Sequence, residues 1–154
     1  MVLDSHYLTD NEKREICSWR YEGDYEMYNL PSYEEMQRRD MSFVKPECEK
    51  NYRGYYHEGS LVGYTNMREE VGEVFIGIGV RPDLCNRGYG RLVLEEACNI
   101  SKYLYPKKSL YLEVRTWNQR AINCYLKAEF RINGEPYQRE MGSGVGMFYR
   151  MVRE

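Results

Sequence analysis

An apolar stretch at 74–80 runs through Arg81-Pro82-Asp83 into Cys85-Asn86-Arg87-Gly88-Tyr89-Gly90-Arg91. If a helix begins near Gly88, its first amides lack intrahelical partners and lie at the positive end of the helix dipole. Glycines at 88 and 90 would let a phosphate approach that backbone, and Arg87 and Arg91 add side-chain donors beside it. The chemistry on offer is capture of a diphosphate by main-chain N–H groups from Asn86 to Gly90. The segment lacks the Lys-Ser/Thr of a P-loop, and Arg-Gly-Tyr-Gly is not the G-x-G-x-x-G of a dinucleotide site. Taken by itself it is weak evidence and fits an ordinary turn better than an anion site. Farther along, Asn118 and Tyr125 stand seven residues apart, two helical turns, and so share nearly one helix face. Metal chemistry is not expected. His6 and His57 form no H-E-x-x-H arrangement, and the five cysteines, 17, 48, 85, 98 and 124, form no C-x-x-C pair. Their odd number and wide spacing fit reduced thiols.

The elements that would hold these residues follow from periodicity. From residue 51 the pattern alternates, predicting antiparallel strands at 51–57, 60–68 and 72–80, joined at Glu58-Gly59 and around 69–72 as a meander. The third is almost entirely apolar apart from Gly77 and Gly79, which predicts cover on both faces. Its glycines would admit a close backbone or ligand, or mark a bulge. Val93, Ala97, Ile100 and Leu104 recur at spacings of four, three and four, a helix with one buried stripe that Pro106 ends. Strand 109–115 then returns parallel to 72–80 through that helix as a crossover. Asn118 should cap a helix over 119–130, Gly134-Glu135-Pro136 marks a loop, and 146–152 is a terminal strand. Near the start, Asp10 is the expected cap of a helix over 11–19, and Ser32 with Glu35 forms the capping box of another. Between them Trp19, Tyr21, Tyr25, Tyr28 and Tyr33 crowd together, as the wall of a small-molecule pocket or a tyrosine-rich flank of the core.

With 154 residues, 42% of them hydrophobic and 30% charged, the chain is expected to form one domain over 1–154 with a self-sufficient core. Its class is mixed α/β (α+β): a central, mostly antiparallel sheet containing one parallel pair and flanked by helices. Disorder is excluded by composition. No run approaches the roughly 18 apolar residues of a membrane span, and the start lacks a secretion signal, so a cytoplasmic location is expected. Residues 1–71 hold 9 Lys/Arg against 15 Asp/Glu, and residues 72–154 hold 13 against 9. That asymmetry fits an anionic ligand on the second half and a cationic one near the first, or simply solvated faces.

The passage VFIGIGVRPDLCNRGYGRLVLEEA, followed by LYLEVRTWNQRAINCYLKAEF, resembles the GNAT superfamily of N-acetyltransferases, closely over 72–131 and loosely elsewhere. The resemblance implies a GNAT-like fold and acetyl-CoA as cosubstrate, with the acetyl group moved to a primary amine of a small molecule or peptide. In the family a Q/R-x-x-G-x-G/A loop holds the pyrophosphate. Here Cys85 replaces the Gln or Arg, and Asn86, Arg87, Gly88, Tyr89 and Gly90 follow, with Arg91 beside them. A reactive thiol at Cys85 is conceivable, because a helix N-terminus lowers thiol pKa. The family's N-x-x-A-x-x-x-Y is present as Asn118, Ala121 and Tyr125. The resemblance assigns Asn118 to the pantetheine arm and Tyr125 to protonation of the departing thiolate. It likewise implies that main-chain groups of Ile78 and Val80 orient the pantetheine and polarise the thioester. Glu129 stands where the family has Gly before Phe130.

For the base that takes the amine proton, the family points to Glu73, on the strand entering the signature. At about 3.3 Å per residue it would lie roughly 16 Å from Ile78 and act only through water or a bent strand. Glu113 is a second candidate, and an exposed structural carboxylate is the alternative identity of either. The competing function is a non-catalytic acyl-CoA-binding module. No nucleic acid or membrane partner is expected; the terminal strand could pair across a homodimer, and the acceptor would be shaped by residues 18–40.

Overall fold

The chain runs β1 (Asp4–Tyr7), α1 (Asp10–Cys17), α2 (Tyr33–Arg38), β2 (Tyr52–His57), β3 (Ser60–Glu69), β4 (Glu73–Val80), α3 (Tyr89–Leu104), β5 (Ser109–Arg115), α4 (Gln119–Lys127), β6 (Arg131–Ile132), β7 (Tyr137–Met141) and β8 (Gly144–Arg153). This is a computed structural model, and it describes residues 2–141 and 144–154. The strands form one sheet in the order β1-β2-β3-β4-β5-β8-β6, with β7 also on β8. The pairing of β4 with β5 is parallel, and the other described pairings are antiparallel. The mixed sheet and its parallel pair are as the periodicity predicts.

The β2–β4 meander turns at Glu58 (φ 51°) and Gly59 (φ 80°), a two-residue hairpin with both residues left-handed. No bulge interrupts β4; the register shift lies between β2 and β3, where Tyr55 pairs with Gly63 and Tyr56 with Leu61, so that Val62 of β3 is the extra residue. Gly79 is needed because the Tyr64 ring from β3 lies across it, where a Cβ would overlap ring carbons. The space its missing side chain leaves is therefore filled by the protein itself.

The sheet carries two hydrophobic clusters, and β4 feeds the first. Val74 and Ile76 pack with Val93, Leu94, Leu112 and Phe130 on the α3/α4 face. Leu8, Ile16, Met36, Phe43 and Tyr52 form a second cluster under α1 and α2. The buried stripe of α3 is Val93, Leu94, Ala97, Cys98 and Ser101, so it is rotated from the predicted one and leaves Leu104 42% exposed.

Several boundaries differ for local reasons. The cap of α1 is Thr9, whose hydroxyl accepts from Glu12 N–H while Glu12 returns the bond to Thr9 N–H; Asp10 is the first helical residue. Ser32 caps α2 as expected, but Glu35 turns its carboxylate to Arg38 and Arg39. α4 stops at Lys127, because Glu129 takes a left-handed φ of 69°. No described helix is long and apolar enough to cross a membrane.

Candidate active site

β4 and β5 run side by side only from Glu73↔Ser109 to Phe75↔Tyr111, although β4 continues to Val80 and β5 to Arg115. The strands part there, and among the described residues no strand pairs with the β4 backbone beyond on that side. Which groups face the gap follows from parity. Arg81 N–H donates to the Val62 carbonyl at 2.9 Å, and Glu70 N–H to the Glu73 carbonyl at 2.8 Å. Antiparallel bonding alternates, so the polar backbone groups of 75, 77 and 79 face β3, while those of 76, 78 and 80 face the gap. Ile78 and Val80 are thus brought to the open side.

The following loop continues that polar edge. Asn86 (φ 64°) and Gly88 (φ 86°) are both left-handed, and α3 starts at Tyr89 with no side-chain cap. Its first closed bond is Leu92 N–H to the Gly88 carbonyl at 3.3 Å, which leaves the amides of Tyr89, Gly90 and Arg91 outside the helical ladder. Successive left-handed and helical residues turn N–H groups inward as an anion-binding concavity. Arg87 and Arg91 are exposed beside it. The Tyr89 hydroxyl and His57 Nδ1 are 3.0 Å apart, which fixes the start of the helix on the β2–β3 hairpin.

α4 lies beside α3: a Cβ on Gly90 would come within 3.1 Å of Cys124 Sγ. Asn118 caps α4, its Oδ1 accepting from Ala121 N–H at 3.2 Å, and its Nδ2 donates to the Tyr28 hydroxyl at 3.1 Å. It is 7% exposed, so both halves of its amide are already engaged. Tyr125, one face along, packs against Phe130 at 6.4 Å between ring centres. Burial pushes its phenol well above its usual range, with Cys124 and Tyr28 adding to the shift.

The aromatic segment after α1 covers this region. A 3-10 turn, Gly23–Tyr28, stacks Tyr25 and Tyr28 on Trp117 at 5.7 and 6.2 Å between ring centres. Tyr21 donates its hydroxyl to the Val80 carbonyl at 2.6 Å, a group on the gap side of β4. These contacts span 59 and 90 residues of sequence for Tyr21–Val80 and Tyr28–Asn118. The crowding of tyrosines hinted at a wall, but no local signal could name the partners. Between this segment, the 82–85 loop and Arg120 lies an open cleft of about 430 Å³. Cys85 lines it; burial pushes its thiol up, against the activation a helix N-terminus would give, and Arg120 opposes that shift only in part.

The two carboxylates considered as bases are held elsewhere. Glu73 sits at the opposite end of β4 and accepts from both terminal nitrogens of Arg150. Glu113 is largely buried and accepts from Tyr137 and Arg139. Glu73 is the anionic partner of a β8 arginine, and Glu113, although β5 carries it past its last pair with β4, is engaged by a β7 arginine. Among the described residues no group of three or more His, Cys, Asp or Glu could hold a metal ion.

Residues 13–130 match the profile of the acetyltransferase (GNAT) family. An N-alpha-acetyltransferase of Sulfurisphaera tokodaii is 28% identical over 111 residues, 67% of this chain; the match spans 66% of that relative's length. A spermidine N-acetyltransferase chimera of Vibrio cholerae and human sequence superimposes with TM-score 0.73 at 20% identity, covering 99% of this chain and 95% of that one. The ribosomal-protein-S18-alanine N-acetyltransferase of Escherichia coli gives 0.68 at 18% identity, covering 98% and 92%. A Bacillus anthracis GNAT acetyltransferase gives 0.77 at 13%, covering 99% and 95%. At these identities the structural likenesses establish the fold.

Proposed function

The chain belongs to the acetyltransferase (GNAT) family, and from that premise we propose that it moves an acetyl group from acetyl-CoA to a primary amine of a small molecule or peptide by direct attack. The observation that carries this reading is the parting of β4 from β5, with the gap-facing groups of Ile78 and Val80 running on into the uncapped start of α3. The residues present fit the group: a row of unpartnered amides, two left-handed residues and a cleft beside them make room for an extended, anionic ligand. When bound, acetyl-CoA supplies an activated acetyl thioester.

The chain's own part is binding, orientation and one proton. Amides from Asn86 to Gly90 hold the diphosphate, with Arg87, Tyr89 and Arg91 around them. The Ile78 groups and the Val80 N–H orient the pantetheine and polarise the carbonyl. The Val80 carbonyl is taken by Tyr21, so a ligand there meets a donor-rich edge. Asn118 reaches the pantetheine by exchanging its bond with Tyr28. Tyr125 protonates the leaving thiolate, its phenol being protonated across the neutral range. With Glu73 and Glu113 engaged by arginines, the amine proton passes to water. An α-amine of a peptide, as the name of the Sulfurisphaera relative suggests, and a polyamine both suit the acidic first half.

The test is amine-dependent thiol release from acetyl-CoA across a panel of peptides with free N-termini, polyamines and amino sugars. Release with at least one acceptor is expected. Donor binding without release from any amine would favour the binding module, and no donor binding would overturn both readings.

A further inference from the structure

The family signature places a side-chain donor where this chain has Cys85, and the geometry points to Arg120 as the residue that replaces it, gripping the donor's diphosphate from the opposite wall of the cleft. This rests on the proposed acetyl-CoA site and adds a residue to it.

Cys85 and Arg120 line the same open cleft of about 430 Å³. Cys85 lies in the loop leading into α3 and Arg120 at the start of α4, and the contact of the two helices at Gly90 and Cys124 holds the two walls together. Arg120 is half-buried, and its guanidinium carbon lies 3.7 Å above the centre of the Tyr25 ring. Tyr25 is in turn braced by Trp117. A guanidinium stacked on a braced ring is held in place before any ligand arrives, so less freedom is lost on binding.

Among the described residues no carboxylate lies within 4 Å of Arg120, whereas Arg81 is paired with Asp83, Arg139 with Glu113, Arg150 with Glu73, and Arg153 with Glu95 and Glu129. Within the cleft, Asp83 is thus already neutralised by Arg81, and Glu22 is matched in charge by Arg20. Arg120 remains as net positive charge facing a neutral thiol. A half-buried cation lacking a counter-ion favours an anionic ligand, and the planar fork of Arg suits two phosphate oxygens at once.

Calorimetric titration of wild type, Arg120→Gln and Arg120→Lys with coenzyme A and with 3′-dephospho-coenzyme A tests this. A charge-assisted bond predicts about tenfold weaker binding for Arg120→Gln, by the same factor with both ligands, and partial recovery in Arg120→Lys. Tyr25→Leu, which keeps the charge but removes its platform, should weaken binding by a smaller factor and serves if Arg120→Gln does not fold. Equal affinity of wild type and Arg120→Gln would overturn the assignment, as would a penalty that vanishes with the dephospho ligand, which would move Arg120 to the 3′-phosphate. Failure of the wild type to bind either ligand would instead overturn the functional reading beneath it.

Discussion

The two ends of the β4–β5 pair are built from opposite materials. At the Glu73 end, side-chain charges are closed on one another: Arg150 on Glu73, and Tyr111 and Arg68 on Glu70. At the Val80 end the strands separate, and what is left open is main chain, with a cation and a phenol nearby. A bound anion and a polarised carbonyl need donors that are fixed and unpartnered, and backbone amides at a strand split and a helix start meet that need without a buried charge. The difference shows why carboxylates that look catalytic by position are tied to arginines here.

Four substitutions or conditions probe that contrast. At the open end, Tyr125→Phe should lower kcat by about 100-fold or more, the usual contribution of a positioned general acid, while the melting temperature changes little; an unchanged rate would remove Tyr125 from the chemistry. Gly79→Ala should cost about 2–3 kcal/mol in chemical denaturation, because the Tyr64 ring cannot move aside without disturbing the α1/α2 core. At the closed end, Glu73→Gln should cost roughly 1 kcal/mol through loss of a partly exposed ion pair, and leave turnover within about twofold. A loss of turnover beyond about 100-fold would return Glu73 to the role of base. Smallest is Glu129→Gly, expected to stabilise by about 0.5–1 kcal/mol by relieving a left-handed φ of 69°.

Stability should also fall at both extremes of pH. Burial works to raise the Glu70 carboxyl, but bonds from Tyr111 and Arg68 outweigh it and hold it below the ordinary carboxylate range. Its stabilisation is present above that range and lost as pH falls through it. Burial raises the phenols of Tyr125 and, to about 12, Tyr55. Their contribution is full below the unfolded value near 10 and lost as pH rises through the folded one. A denaturation midpoint that is flat from pH 6 to 9 and falls on both sides is the expected profile.

Period-two alternation sufficed for β2, β3, β4 and β5, and Glu58-Gly59 for their tightest turn, because those signals are local. The short β1 and β6 and the polar β7 carry no such pattern; they exist because β2 and β8 offer edges to pair with. The backbone part of the site was readable for the same reason, since Gly88 and the helix start after it are encoded in adjacent residues. The side-chain part was not. Arg150 meets Glu73 across 77 residues, and Tyr28 meets Asn118 across 90, pairings that only the folded sheet creates. Thr9 was within reach, since Thr-x-x-Glu stands at 9–12.

Backbone amide shifts of the labelled protein, followed by NMR during titration with coenzyme A, report directly on whether main chain at the open end does the binding. Changes should concentrate at Ile78, Val80 and residues 86–91, with β7 and the Glu73 end of β4 unmoved. Changes centred on β7, or none at saturating ligand, would contradict it.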